Sequence, residues 1–316
     1  KILLLIFSLI LSAINYELIE KKIRKLSLKS ISLNSFFLLA TVLISLFVLN
    51  FLIIKNNGLP NRISHEKIEF INSFKDEKRI RHNFLENNID LKFDVSSKTK
   101  ILVLGDSHGE DMFMAIKKNI SNKQKLDVEY FEYSHWCFQK NRLKDIAIFL
   151  ERIQMRVKKC RDEKLNFTNN SKLLKEADII LLSSSWYKGI DTYIEEIIDY
   201  LKKSSEARFV VSSKTIFFPR MSTLLLKIEP DKINEINRLS YDIKYKAQDL
   251  INVKLEKKLK DIKVQYLNKS KLICNNQEQV CNIFNKDNNK FHIFDGSHWT
   301  LDGAKYFGEK IDFSIF

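Results

Sequence analysis

The sequence predicts an α/β protein in which a parallel sheet lies between two layers of helices. Short apolar runs of strand length alternate with longer segments of helical periodicity over residues 99–316, and this alternation is typical of a parallel sheet covered on both faces. No internal repeat or long low-complexity segment interrupts the pattern. We therefore predict a three-layer α/β/α domain of the flavodoxin-like arrangement, preceded by transmembrane helices.

The predicted elements follow from the spacing of apolar residues. Five apolar runs predict strands: Ile101–Leu104, Leu126–Tyr130, Ile179–Ser183, Phe209–Ser213 and Val264–Leu267. Four segments with an apolar face predict the helices between and after them: Glu110–Asn119, Leu143–Arg161, Thr192–Lys203 and Lys232–Leu259. A closing helix is expected from Gly303 and the spacing of Ala304, Phe307 and Ile311.

The first 55 residues predict a membrane anchor. The apolar run Ile2–Ile14 is shorter than the roughly 20 residues that span a bilayer, whereas Phe36–Ile54 is uncharged and long enough. A signal peptide is the alternative for the first run. We favour a truncated transmembrane helix over residues 1–14, a cytoplasmic loop over 15–35 and a transmembrane helix over 36–54. The chain is then the C-terminal part of a longer protein.

The loop between the two apolar runs predicts how the chain is oriented in the membrane. It carries the basic residues Lys21, Lys22, Arg24, Lys25 and Lys29, and the positive-inside rule places such a loop in the cytoplasm. The part of the chain after Lys55 then lies on the extracytoplasmic side of the membrane. Residues 56–98 are polar and include a helical stretch near Glu66–Asn87, and we interpret them as a connector to the domain at 99–316.

Two short motifs predict the chemistry. Gly105-Asp106-Ser107-His108 follows a predicted strand directly, and Asp295-Gly296-Ser297-His298 lies near the end of the chain. Together they supply a nucleophile, Ser107, a general base, His298, and a carboxylate, Asp295, that orients the base. Backbone N–H groups at a helix start can stabilise the oxyanion that forms when a serine attacks a carbonyl.

Each motif alone has a simpler interpretation. A Gly-Asp-Ser sequence after a strand is also an ordinary turn, and an Asp-x-x-His pair can lie on a surface without function. For His108 we favour a structural or pocket role. The combination of the two motifs at these positions is more specific than either one.

These blocks resemble the first and last blocks of an SGNH hydrolase domain. Upstream, Tyr16-Glu17-Leu18-Ile19-Glu20-Lys21-Lys22-Ile23-Arg24-Lys25 resembles the Y-x-x-I-E-x-P-x-R segment of acyltransferase-3 membrane proteins, with Lys22 in place of proline. In the family where the two are fused, a membrane bundle is followed by one more span and an SGNH domain outside the cell membrane. The resemblance implies a bacterial inner membrane protein with a periplasmic domain.

The resemblance also predicts residues of the oxyanion hole. SGNH enzymes usually add a glycine and an asparagine to it, but this chain has Ser183-Ser184-Ser185-Trp186 after its third predicted strand. Gly105, Asp106, Ser185 and Trp186 are the remaining candidates for the oxyanion hole and pocket. Ser185 could donate a hydrogen bond, and Trp186 could form an apolar or sugar-stacking wall, with core packing as the equal alternative.

The chain has four cysteines, Cys137, Cys160, Cys274 and Cys281. An even number in an oxidising compartment suggests disulfides, for which three pairings exist. The resemblance favours Cys137–Cys160 and Cys274–Cys281, because the fused family carries cysteine pairs in comparable places. Buried free thiols are the alternative. No C-x-x-C spacing supports a zinc site, and we expect neither a metal nor a cofactor.

The net charge of +14 is compatible with anionic glycans or membrane surfaces as partners. The basic residues are dispersed, which disfavours nucleic acid. Our leading hypothesis is O-acyl transfer, with acetyl as the expected group, from a donor relayed by an acyltransferase-3 membrane bundle onto a cell-envelope polysaccharide. An extracytoplasmic carbohydrate esterase that removes acyl groups is the second hypothesis. A non-catalytic glycan-binding module is the third.

Overall fold

The structure is a computed structural model, and it describes residues 12–13, 16–21, 33–55, 65–94, 99–120, 126–133, 171–228 and 230–316. The chain divides into two compact units, Lys1–Ser64 and His65–Phe316. The predicted helix Leu143–Arg161 and the predicted Cys137–Cys160 pair lie outside the described residues.

The first unit contains a π-helical turn, Tyr16–Glu20, and helix α1, Leu33–Lys55. The side chains of α1 are described from Thr41 onward, and most of them are exposed. Within the described residues, no helix combines the length and the hydropathy that crossing a membrane requires. The predicted transmembrane helices 1–14 and 36–54 therefore stay predictions.

The second unit is built on a five-stranded parallel sheet in the order β2-β1-β3-β4-β5. Its strands are β1 (Thr99–Gly105), β2 (Leu126–Glu132), β3 (Ile179–Leu182), β4 (Arg208–Ser212) and β5 (Gln265–Leu267). This is the flavodoxin-like order. From β1, the chain adds β2 on one side and the later strands on the other, and ligands bind in such sheets at this switch point between β1 and β3. The predicted α/β fold with a central parallel sheet is confirmed, and so are all five predicted strands, with bounds that differ by one or two residues.

Helices and short strands complete the second unit. The helices are α2 (His65–Asn88), α3 (Ser107–Asn119), α4 (Ser171–Glu176), α5 (Ile190–Lys202), α6 (Met221–Lys227), α7 (Ile236–Ile243), α8 (Ala247–Asp261), α9 (Lys269–Ile273) and α10 (Leu301–Gly308), with 3-10 turns at Pro230–Glu235 and Phe313–Ile315. Two hairpins lie between α9 and α10, formed by β6 (Cys274–Asn275) with β7 (Val280–Cys281) and by β8 (Phe284–Asn285) with β9 (Lys290–Phe291).

The two faces of the sheet carry separate cores. Side chains alternate between the faces of a strand, so Ile101 and Val103 of β1 pack with α3 and α10, while Leu102 and Leu104 pack with α5 and α8. The strands are apolar on both faces, as expected for a parallel sheet with helices on each side. The predicted three-layer arrangement follows from this packing.

Two boundaries differ from the sequence prediction. The predicted helix Lys232–Leu259 is divided into a 3-10 turn, α7 and α8. The break falls at Tyr245, whose N–H donates to the carbonyl of Phe217 at 3.0 Å instead of continuing the helix, and no proline or glycine marks it. The predicted connector 56–98 contains α2, which belongs to the same compact unit as the sheet.

A buried ion pair attaches α2 to the rest of the second unit. Arg81 is 5% exposed, and its Nη1 lies 2.6 Å from a carboxylate oxygen of Asp111, which is fully buried on α3. The same guanidinium donates to the carbonyl of Trp299 and lies 3.1 Å from Glu110. One turn earlier on α2, Glu77 accepts the N–H of Leu301 at the start of α10. These contacts explain why α2 packs as part of the domain.

A disulfide joins Cys274 and Cys281, as predicted. The two residues are partners across the β6–β7 hairpin, and Cys281 is fully buried. This hairpin and the second one have strands of two residues each, too short for any periodicity to reveal them.

We predict that Arg81→Met lowers the free energy of unfolding by about 3–5 kcal/mol, because it leaves the Asp111 carboxylate buried without its cation. Unfolding of the full chain can be followed in denaturant by the fluorescence of the buried Trp186 and Trp299. Arg79→Met is the matched control, since Arg79 lies on the same helix in an exposed pair with Asp76 and should change the midpoint little. If the two substitutions lowered the free energy of unfolding equally, the stabilising role of the buried Arg81–Asp111 pair would be contradicted.

Candidate active site

Ser107 lies at the turn between β1 and α3. Gly105 ends the strand, and a Cβ there would lie 1.7 Å from the carbonyl oxygen of Ser183, the residue directly after β3, so only glycine allows the close approach. Asp106 caps α3 by accepting the N–H of His108 at 3.0 Å. This geometry leaves the side chain of Ser107 exposed at the carboxyl edge of the sheet.

The second motif meets the first across the sheet edge. The Nε2 of His298 lies 2.8 Å from the Oγ of Ser107, and its Nδ1 lies 2.7 Å from a carboxylate oxygen of Asp295. The other oxygen of Asp295 accepts the N–H groups of Ser297 and His298, both at 3.0 Å. The structure therefore brings together the three residues that the sequence placed in one site, in the order nucleophile, base and carboxylate.

The electrostatics suit a histidine that accepts a proton. Burial raises the pKa of Asp295, but its hydrogen bonds to His298 and its charge interaction with this ring outweigh burial and lower that pKa to about 2. Burial alone would lower the pKa of His298. The hydrogen bond that His298 donates to Asp295 and the negative charges of Asp111 and Asp295 prevail, and the pKa of His298 is raised. An ionised carboxylate thus holds the ring in one orientation.

His108 supports the site from behind. Its ring stacks on that of His298, with centroids 4.6 Å apart and planes 7° apart. It is 3% exposed, and its Nδ1 lies 3.4 Å from Asp111. Burial lowers the pKa of His108 despite the hydrogen bond to Asp111, which disfavours a charged ring at the position where it packs against the base. The predicted structural role of His108 agrees with this geometry.

A buried lysine, Lys269, lies near the first turn of α3. Lys269 is fully buried, and its Nζ donates to the carbonyl of His108 at 3.2 Å and lies 5.4 Å from the ring centroid of Trp299. Burial lowers its pKa to about 8, although Asp111 and Asp106 oppose the shift. Lys269 therefore adds positive charge behind the start of α3.

The groups that could form an oxyanion hole are next to Ser107. The N–H groups of His108, Gly109 and Glu110 are bonded to Asp106, whereas that of Ser107 has no partner among the residues that the structure describes. The hydroxyl of Ser185, which follows the carboxyl end of β3, also has no hydrogen-bond partner among the described residues. The N–H of Ser185 donates to Asp106 at 2.9 Å, which holds β3 and α3 together.

Trp186 does not form a wall of the site. Its side chain is 1% exposed, and the indole N–H donates to the carbonyl of Ser212 at 2.6 Å. Of the two roles considered for Trp186, the structure supports core packing, because a buried ring has no face for a sugar to stack on. Asp106 and Gly105 likewise shape the turn rather than line a pocket.

The buried charged residues next to the triad, Asp111, Arg81 and Lys269, were not predicted from the sequence. Asp111 carried a signal, since it is a charged residue on a helix face that otherwise consists of buried apolar side chains. Arg81 and Lys269 carried none, because an isolated cation in a polar or short helical segment looks like solvent-exposed charge. Among the described residues, no group of three or more His, Cys, Asp or Glu could hold a metal ion.

Comparison with known proteins gives one family and a related fold. The family described as "SGNH domain (fused to AT3 domains)" matches residues 78–313. Among solved structures, the chain is similar to the periplasmic domain of a lipopolysaccharide acetyltransferase from Salmonella ser. Paratyphi A, with a TM-score of 0.52, 16% identity and coverage of 70% of this chain and 84% of that chain. No curated protein sequence matches.

A second solved structure is a putative acylhydrolase from Bacteroides fragilis NCTC 9343, with a TM-score of 0.37, 10% identity and coverage of 74% of this chain and 94% of that chain. The AT3 part of the fused family is not shown in this chain. The family match covers most of the chain, including both motifs and α2 from residue 78 onward. The chain therefore belongs to the SGNH domains of the family in which this domain is fused to AT3 domains.

Proposed function

We propose that this protein is an O-acyltransferase that modifies a cell-envelope polysaccharide through an acyl-enzyme on Ser107. The observation that carries the proposal is the unbroken chain of hydrogen bonds from Asp295 through His298 to an exposed Ser107 hydroxyl. The family, whose SGNH domains are fused to membrane acyltransferases, and the similarity in fold to a periplasmic acetyltransferase domain support acyl transfer as the reaction.

The mechanism has two half-reactions. In the first, the Oγ of Ser107 attacks the donor carbonyl while its proton passes to the Nε2 of His298, and the leaving group departs with that proton. In the second, His298 removes the proton of a sugar hydroxyl, whose oxygen attacks the ester carbonyl. The bond from that carbonyl to the Oγ of Ser107 then breaks, and His298 returns the proton to this oxygen. Asp295 keeps the Nδ1 of the ring protonated and facing it throughout. The N–H of Ser107 and the hydroxyl of Ser185 stabilise the oxyanion.

The proposed setting follows the sequence analysis. Residues 1–55 anchor the protein in the bacterial inner membrane, and the domain lies on the periplasmic side. An acyltransferase-3 membrane bundle relays an acetyl group to Ser107. The Cys274–Cys281 disulfide supports an oxidising compartment, and no nucleic acid takes part.

Hydrolysis is the second candidate reaction. Ser107 is exposed, so water can reach an ester on it as readily as a sugar hydroxyl can. Transfer prevails where a bound acceptor is held close to the ester at a high effective concentration. The two reactions share Ser107, His298 and Asp295 and differ in what attacks the acyl-enzyme.

We predict that Ser107→Ala abolishes release of p-nitrophenol from p-nitrophenyl acetate by the full chain in detergent, and that it abolishes the acetyl adduct on the intact protein seen by mass spectrometry. Ser204→Ala is the control, because Ser204 follows α5 at the opposite end of the sheet. Acetyl transfer to an added oligosaccharide supports the transferase, and Ser107-dependent release to water alone supports the esterase. A wild-type rate no higher than that of Ser107→Ala, with no acetyl adduct on either protein, would exclude both and favour a binding module.

We predict that kcat/KM for this ester increases with pH through a pKa higher than that of an ordinary histidine, because His298 must be neutral to accept the serine proton and its pKa is raised. Below that pH the ring is protonated and the rate falls. Asp295→Asn removes a charge that raises this pKa, so the midpoint moves to lower pH while the plateau decreases by roughly 10²–10⁴-fold.

The measurement is a pH–rate profile of both proteins between pH 5 and 9. Asp302→Asn is the matched control, since this exposed carboxylate pairs with Lys290 on the surface and the substitution should leave the profile in place. A midpoint that does not move in Asp295→Asn would argue against His298 as the titrating base.

A further inference from the structure

A cavity of about 730 Å³ opens beside the triad. Asp295, Gly296 and Ser297 form one side of it, α2 forms another, and the segment after β4 forms the third. Its size is within the range of small-molecule binding sites. The cavity therefore adjoins the site at the loop that carries the base.

The walls of the cavity are aromatic. Phe74, Phe217 and Phe294 line it. The ring of Phe294 lies 6.0 Å from that of His298, and the ring of Phe217 lies 5.6 Å from that of His108, measured between centroids. A molecule that packs on these rings is thus held next to the imidazoles of the site.

The rim of the cavity is basic. Lys75, Lys78 and Arg220 line it, and all three are exposed. Within the described part of the chain, none of them forms an ion pair, a hydrogen bond or a cation–π contact. The one carboxylate among the described lining residues, Asp295, is already bonded to His298 and two backbone N–H groups.

We propose that this cavity binds an acidic sugar of the acceptor glycan, so that the acceptor is a polysaccharide with carboxylate groups; this rests on the proposed transferase function. The apolar faces of a sugar ring pack on the phenylalanine rings, and the unpaired cations bind its carboxylate with charge-assisted hydrogen bonds. A hydroxyl of the same or the next sugar then lies near the Nε2 of His298. Because the cavity lies beside Asp295, an acceptor bound in it has a hydroxyl close to His298, the residue that removes the hydroxyl proton.

Charge and position both favour an acidic acceptor over a neutral one. A neutral glycan needs no cations, whereas three unpaired cations around one cavity attract an anion and raise its local concentration. Exposed ion pairs are individually weak, so we expect the three cations together to change the affinity about tenfold, or about 1.4 kcal/mol. The effect must weaken at high salt, because exposed charges are screened.

Binding is best measured without catalysis, in full-chain Ser107→Ala by titration calorimetry. The probes are a tetramer of galacturonic acid and the same tetramer with its carboxyl groups reduced. We expect the acidic tetramer to bind about tenfold more tightly at low salt. Lys75→Gln/Lys78→Gln/Arg220→Gln should remove the difference, and Lys75→Arg/Lys78→Arg should keep it. Lys172→Gln, an exposed lysine on α4, is the control that should leave it unchanged.

Two results would overturn the proposal. The first is equal affinity for the acidic and reduced tetramers, including no measurable binding of either one. The second is a preference for coenzyme A over the acidic tetramer that is lost in the triple variant, which would assign the cations to the donor. Because binding is measured in Ser107→Ala, its outcome is separate from the transferase test: acetyl release to water alone would refute the proposed function and leave this measurement intact.

Discussion

The buried pair of Arg81 and Asp111 is the interaction on which the geometry of the site depends. Asp111 accepts from Arg81 and from the N–H of Trp299, at 2.6 and 3.0 Å, and it lies 3.4 Å from the Nδ1 of His108. It therefore joins α2, the start of α3 and the loop that carries His298. Two desolvated charges are stable only together, so these three segments keep one arrangement, and the distance between Ser107 and His298 is fixed by groups that touch neither substrate nor solvent.

Two stacked imidazoles next to this pair have pKa values shifted in opposite directions. His108 is buried and its pKa is lowered, whereas Asp111 and Asp295 raise the pKa of His298. Two rings at 4.6 Å cannot both be charged without repulsion. The environment assigns the proton to the outer ring, the one in contact with Ser107. Divergent pKa values in neighbouring groups are a common way for a site to define acid and base.

The sequence predicted the sheet, its five strands and the three residues of the triad, because apolar periodicity and short motifs are local signals. It did not predict the break at Tyr245, where the N–H donates to a carbonyl distant in sequence. It also did not predict the place of α2 in the domain, which depends on long-range contacts such as those of Arg81 and Glu77. Trp186 was undecided because burial depends on tertiary packing. Asp111 and Lys269 became meaningful only when the fold placed them behind the site, since a charge that looks exposed in sequence can be fully desolvated.

The position of the triad along the chain has a consequence for the order of folding. Ser107 and His298 are 191 residues apart in sequence, and the loop between β9 and α10 is the last part of the site to be synthesised. Contacts between such distant segments form late, after local helices and the first strand pairs. A growing chain therefore exposes an unpaired Ser107 on a nearly complete sheet. Ser107 has its base only once the segment that carries Asp295 and His298 reaches the sheet, so the nucleophile and its activation depend on two distant parts of the chain.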